Sequence, residues 1–343
     1  MGDARLQKHP LGTIKILAPV PYVPAGYAPV LMAQSLGYAA EEGLDLQVIG
    51  AGSPRLSIEG AVAGEGIGFV NMVFNFLMRD QGHPFRSFFS IARKQNRSFA
   101  VPVDSPVRSL SDLKGKVIGL HFPDLLEFAH AALASESVDP ARDVRFVPLP
   151  GSPLDEDRMV ASVRAGEVQA IWQIDLNYGL FATAGLPLRR LPAPVIDQLT
   201  PSACLYARDD LIAAHPETYA AVGRAVAKGS LFAATNPEAT VRLLWRDVPQ
   251  GRPSAGDEAR VMRRDLAVLS DRLTLSRPEH APDPRWGAIM IGEIERWLEF
   301  MLATGAIKND SNRHEYFTSE LVSRCNDFDA QKVIEQARAF QSG

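Results

Sequence analysis

Cysteine is scarce in this chain: only Cys204 and Cys325 occur among 343 residues. Neither has a histidine or a second cysteine at metal-ligand spacing, so no thiolate zinc site is supported. Both are expected to be free, buried thiols, although two cysteines could form one disulfide in an oxidising compartment. Excess charge of one sign is also absent. The net charge is -4 and no Lys/Arg-rich run occurs, which argues against nucleic acid or an anionic membrane surface as a partner. No apolar run approaches the roughly 18 to 20 residues needed to cross a bilayer. The sequence shows no P-loop, Gly-x-Gly-x-x-Gly fingerprint, Ser-His-Asp order or paired-carboxylate motif. Neither a cofactor nor a metal is therefore expected. Heptads, solenoid periods and low-complexity tracts are missing as well.

What remains is an ordinary globular composition, 46% hydrophobic and 22% charged, on a chain long enough for two lobes. The stretch from Gly26 to Val48 is the most informative. Before it, Ile14 to Ala18 is a short apolar run ended by Pro19 and Pro21. After it, Leu44, Leu46 and Val48 alternate with Asp45 and Gln47, the period of a strand. Between them Tyr27, Val30, Leu31, Gln34 and Tyr38 fall at helical spacing, with Pro29 in the first turn. Together these describe a β-α-β crossover.

The same grammar continues. Strands are expected near 13–18, 44–49, 67–71 and 87–92, with helices near 26–38, 54–64 and 73–82. After a charged, irregular stretch from Arg93 to Ser98, a second α/β segment places strands at 117–120, 144–149 and 170–172. Its helices are expected at 124–135 and 156–165. An extended return strand follows at 202–207, then helices at about 209–214, 216–235, 236–246, 256–270, 287–304 and 329–341. Chain crossings near 98–102 and 200–206 would form a hinge between two α/β lobes. Residues 11–98 plus 204–343 are expected to make the first lobe and 100–202 the second.

Four strings, in order, carry a resemblance. They are Gly26 to Val48, Ala61-Val-Ala-Gly-Glu-Gly-Ile-Gly-Phe-Val70, Ser109-Leu-Ser-Asp-Leu-Lys-Gly-Lys-Val-Ile-Gly119 and Val163-Arg-Ala-Gly-Glu-Val-Gln-Ala-Ile-Trp172. The chain resembles the substrate-binding proteins of ABC importers for nitrate, sulfonates, taurine and thiamine-pyrimidine precursors (NMT1/SsuA-like). Gly66-Ile67 replaces an acidic pair usual there, and Gln169 stands where Asp is usual. The resemblance implies a type II periplasmic-binding-protein fold: two lobes, a two-strand hinge and C-terminal helices on the first lobe. It also implies an extracytoplasmic monomer that delivers a small organic ligand to an ABC permease. The first ten residues lack the apolar core of a secretion signal and a lipidated cysteine. A signal removed before this chain begins is the favoured expectation; a native start would imply a cytoplasmic protein.

Open α/β folds bind ligands at the C-terminal edges of their strands and at helix N-termini. Tyr22, after the first strand, offers a ring to stack on and a hydroxyl. Gly52 and Ser53 open a helix whose amides could hold an anion, with Arg55 in its first turn. Asn71 can donate and accept after the third strand, and Met72 would add apolar wall. His121, Phe122 and Asp124 occupy the loop where sulfonate binders usually carry Gly, Ser or Thr. Trp172, Gln173 and Asp175 stand where the family has a Trp-Glu-Pro-Tyr pattern, and Asp175 could pair with the ligand or with a hinge arginine such as Arg97. Tyr22, Phe122, Trp172, Asn71 and Arg55 together fit an aromatic or heterocyclic molecule bearing a carboxylate or similar group, and the departures from the family wording argue against a plain sulfonate or nitrate carrier.

Enzymes share the fold implied by the resemblance. Desulfinases carry a nucleophilic cysteine in the loop after the first strand, where this chain has Ala18-Pro-Val-Pro-Tyr22. The thiamine-pyrimidine enzyme carries a cysteine cluster that two distant cysteines cannot reproduce. A non-catalytic receptor is therefore expected, with an enzyme acting on a small aromatic or heterocyclic substrate as the alternative.

Overall fold

A computed structural model describes residues 12–121, 125–151, 155–309 and 312–340, apart from the side chain of His280. The first sheet grows from the crossover at the start of the chain. Its elements are β1 (Ile14–Ala18), α1 (Ala28–Ser35), α2 (Tyr38–Glu41), β2 (Leu46–Gly50), α3 (Pro54–Ala63), β3 (Ile67–Asn71), α4 (Val73–Asp80) and β4 (Phe85–Ala92). In β2, Leu46 and Val48 are buried while Gln47 and Ile49 turn outward. That alternation fixes the parallel register Ile16↔Val48 against β1. β3 is buried on both faces, as a central strand of a covered sheet must be. The helix expected over 26–38 is divided, because Gly37 adopts a left-handed conformation (φ 76°) between α1 and α2.

The second sheet is built from β5 (Arg97–Pro102), β6 (Val117–Leu120), α5 (Leu126–Ser135), β7 (Arg145–Pro148), α6 (Glu156–Arg164), β8 (Ala170–Ile174), α7 (Asn177–Thr183), β9 (Leu188–Arg190) and α8 (Pro194–Asp197). The chain then returns as β10 (Ala203–Arg208), followed by α9 (Asp209–Ala214), α10 (Pro216–Thr235), α11 (Pro237–Asp247), α12 (Glu258–Ser276), α13 (Ile291–Ala303), α14 (Val322–Cys325) and α15 (Ala330–Ala339).

The strand orders are β2-β1-β3-β10-β4 and β7-β6-β8-β5-β9. In each sheet four strands run the same way, and one antiparallel strand is inserted between the third and the edge strand β4 or β9. The inserted strands, β5 and β10, are the ones that carry the chain from one sheet to the other. The crossings occupy 93–96 and 191–202, and they are bonded together. Ser202 N donates to Ala92 O at 2.9 Å, Ser202 Oγ to Lys94 O at 2.6 Å, and Gln95 Nε2 to Leu199 O at 3.1 Å. The sequence reading leaves Arg97 and Ser98 in an irregular stretch. In the structure both join the β5 ladder opposite Ile174 and Gln173, and their polarity conceals a strand whose sides are covered.

α10 lies against α1, and α14 and α15 against α10, so these C-terminal helices cover the first sheet. α12 and α13 do more. α13 sets Trp297 between Phe76 of α4 and Phe128 of α5, and its indole N–H donates to Pro201 O in the hinge at 3.0 Å. α12 packs on α7 and on the turn at Ala25–Tyr27.

Candidate functional site

The loops that follow β1, β3, β6 and β8 converge where the two sheets face one another. Two adjacent chambers occupy this cleft. The larger, about 130 Å³, is lined by Tyr22, Tyr27, His121, Leu176 and Asn177, with Arg264 and Asp265 at α12. The smaller, about 50 Å³, is polar: Asn71, Asn96, Arg97 and Arg272 meet there beside Pro54 at the start of α3. Tyr27 and Ile174 line both chambers.

Beside Tyr27 lies a buried ion pair. Arg272 Nε is 3.0 Å from Asp175 Oδ2, and Nη2 donates to Oδ1 at 3.2 Å. The guanidinium also stands 5.4 Å over the Tyr27 ring. Burial pushes the Asp175 carboxyl up, and Arg272 and Arg97 only partly pull it back. His121 is held neutral, its pKa lowered to about 3 by burial and by the Arg97 charge. Two buried donors that line the chambers, Arg272 Nη1 and Asn177 Nδ2, have no hydrogen-bond partner among the described residues.

The α7–α12 seam closes one flank. Gly179 N donates to Asp271 Oδ2 at 2.5 Å, and a Cβ at Gly179 would fall 2.5 Å from the Ala267 carbonyl carbon. Asp271 rises to about 6, chiefly through burial, against the Gly179 hydrogen bond and with Asp175 adding repulsion. Leu176, just before α7, reaches the turn after β1. A Cβ at Gly26 would lie 2.2 Å from Leu176 Cδ2.

The structure brings Tyr22, Asn71, His121 and Asp175 together around this cleft. Asn71 already donates to Asn96 Oδ1 at 3.2 Å and accepts from Val73 N at 3.1 Å. Gly52 and Ser53 make the turn into α3, where Ser53 Oγ accepts from Leu56 N at 3.2 Å. Arg55 points to solvent and holds Glu59 at 2.7 Å. Met72 is buried with its sulfur 3.3 Å from the Tyr206 hydroxyl, and Trp172 packs on Phe99 at 4.8 Å. Gln173 is buried within β8. Phe122 and Asp124 lie outside the described residues.

Tyr27, Asn96, Asn177, Arg264 and Arg272 were not among the expected site residues. A signal for Arg272 exists, since Val261, Asp265, Val268, Leu269, Arg272, Leu273 and Ser276 form the buried stripe of α12. A charge on an apolar helical stripe asks for a partner. Asn177 follows the end of β8, where side chains at the sheet edge face the cleft.

No curated protein matches the chain. Among solved structures, it is similar to the periplasmic aliphatic sulphonate-binding protein of Escherichia coli, with TM-score 0.63, 12% identity, and 90% of this chain and 92% of that one covered. A putative periplasmic sulfonate-binding protein of Methylobacillus flagellatus gives TM-score 0.59 at 17% identity over 91% of this chain and 93% of that one. A cysteine-to-serine mutant of the desulfurization enzyme DszB, in complex with biphenyl-2-sulfinic acid, gives 0.60 at 14% over 91% and 98%. These likenesses show the periplasmic-binding-protein fold. The profile of the NMT1/THI5-like family matches residues 25–240, more than half of the chain, and the chain belongs to that family.

Proposed function

We propose that the chain is an extracytoplasmic solute-binding receptor. It captures a small organic molecule, aromatic or heterocyclic with an acidic or similar polar group, and presents it to an ABC permease. The lobes would be 11–98 plus 204–343 and 100–202. The observation that carries the reading is the cleft itself. Tyr27, in the turn that follows β1 of the first sheet, and Ile174, at the end of β8 in the second, line both chambers, so a ligand there touches both lobes and favours the closed arrangement. The sulfonate-binding proteins with this fold add support.

An enzyme on the same fold is the second reading, favoured by the likeness to DszB. Against it, both cysteines are free and buried, their thiols pushed up to about 12 by burial, and neither lines a chamber. A thiol so protonated is a poor nucleophile.

Thermal-shift titration with aromatic acids, sulfonates, pyrimidines and nitrate tests the receptor. Organic members of the panel should raise the melting temperature; a ligand at 100 times its Kd adds about 2.7 kcal/mol. Stabilisation by inorganic anions alone would refute the proposed ligand class. Chemical conversion of a stabilising compound, read by NMR, would replace the receptor with an enzyme.

A further inference from the structure

We infer that Arg272 reads the ligand's acidic group, although α12 lies beyond the segment that matches the family. The inference rests on the solute-binding reading and names the chemistry of that same cleft. Arg272 is only 2% exposed. Asp175 occupies its Nε and Nη2 edge, which fixes the plane of the guanidinium. The remaining nitrogen, Nη1, belongs to a side chain that lines the small chamber, and it has no hydrogen-bond partner among the described residues. A buried donor left unpaired carries its full desolvation cost. An acceptor brought by a ligand relieves it, and an anionic acceptor relieves it best.

The larger chamber supports the same polarity. Its carboxylates are already engaged: Glu156 faces Arg260 at 3.4 Å and Arg264 at 3.5 Å. Asp265 accepts from Trp245 Nε1 at 2.8 Å and from Arg264 Nε at 2.9 Å. A cationic ligand would find no open counter-charge there. Asn177 Nδ2, only 1% exposed at its residue, is a second unpaired donor. The ligand class is thus a small monoacid, carboxylate or sulfonate, whose body lies along Tyr27 and Ile174, the residues that line both chambers. At its far end it carries a hydrogen-bond acceptor, such as a carbonyl, for Asn177. Asp175 is a positioning residue in this arrangement, since it acts through Arg272.

Calorimetric titration of the full chain with benzoate, benzenesulfonate, 4-acetylbenzoate and neutral benzamide tests this. Removing one charge alone strands the other in the interior, so the main variant is Asp175→Asn with Arg272→Met. That double variant should melt near the wild type yet bind benzoate and benzenesulfonate at least about tenfold more weakly, with benzamide unchanged. The benzoate and benzenesulfonate arms separate carboxylate from sulfonate. Should the double variant fail to fold, Arg272→Lys keeps the ion pair but not the Nη1 donor, and benzoate binding must still fall severalfold. Asn177→Leu should erase any advantage of 4-acetylbenzoate over benzoate. Undiminished anion binding by folded Arg272 variants overturns the inference while solute binding stands. Failure of the wild type to bind any probe, neutral or anionic, in this set and in the thermal-shift panel sinks both.

Discussion

His121 has a ring that burial and the Arg97 charge keep neutral, with its pKa lowered from 6.5 to about 3. An unfolded chain protonates this ring below pH 6.5, whereas the folded chain resists until about 3. Stability contributed by the neutral ring is therefore present above pH 6.5 and is lost as pH falls through that window. His121→Asn removes the titration. Its melting temperature should decline less than that of the wild type between pH 7 and pH 4.5, measured by circular dichroism in parallel buffers. Equal slopes would mean that the ring reaches water when charged. Histidine at this place in the sequence was readable as a departure from the family's small residues; its protonation state was not. That state depends on Arg97, which β5 brings near from 24 positions earlier in the chain.

Strand and helix patterns were largely legible because burial repeats at short range. β3 lies at 67–71 and α10 spans 216–235, where their patterns put them. The sequence pattern ends α12 near 270, whereas the helix continues to Ser276. Its last turns hold Asp271 and Arg272, whose charges resemble a solvated helix end until Gly179 and Asp175 are placed against them. Partners roughly 90 residues away leave no local periodic trace. The seam also has a pH signature opposite to that of His121. Asp271 is raised from 3.8 to about 6, so its contribution to stability is full below the unfolded value and is lost as pH rises through 6. Asp271→Asn still offers Gly179 N an acceptor. The melting-temperature difference between this variant and the wild type should grow in the variant's favour from pH 4.5 to pH 7. A constant difference would show that Asp271 is charged throughout.

At the scale of the whole molecule, α12 acts as a brace between the two sheets. It touches the turn before α1 on one side and α7 on the other, while the two crossings hold the hinge through Ser202 and Gln95. In the proposed receptor, opening the cleft would have to peel α7 from α12 as well as bend the crossings. Gly179 makes the seam close, for any Cβ there meets Ala267 backbone rather than a side chain that can swing away. Contrast Gly26, where the obstacle is the flexible tip of Leu176. Gly179→Ala should hence wedge the seam apart at a cost of about 1–3 kcal/mol, the range for overpacking a tight contact. Small-angle scattering should report a larger radius of gyration for the variant, and benzoate titration a weaker affinity, because binding must then also re-form the seam. A variant that matches the wild type in both size and affinity would remove α12 as the brace and leave closure to the two crossings alone.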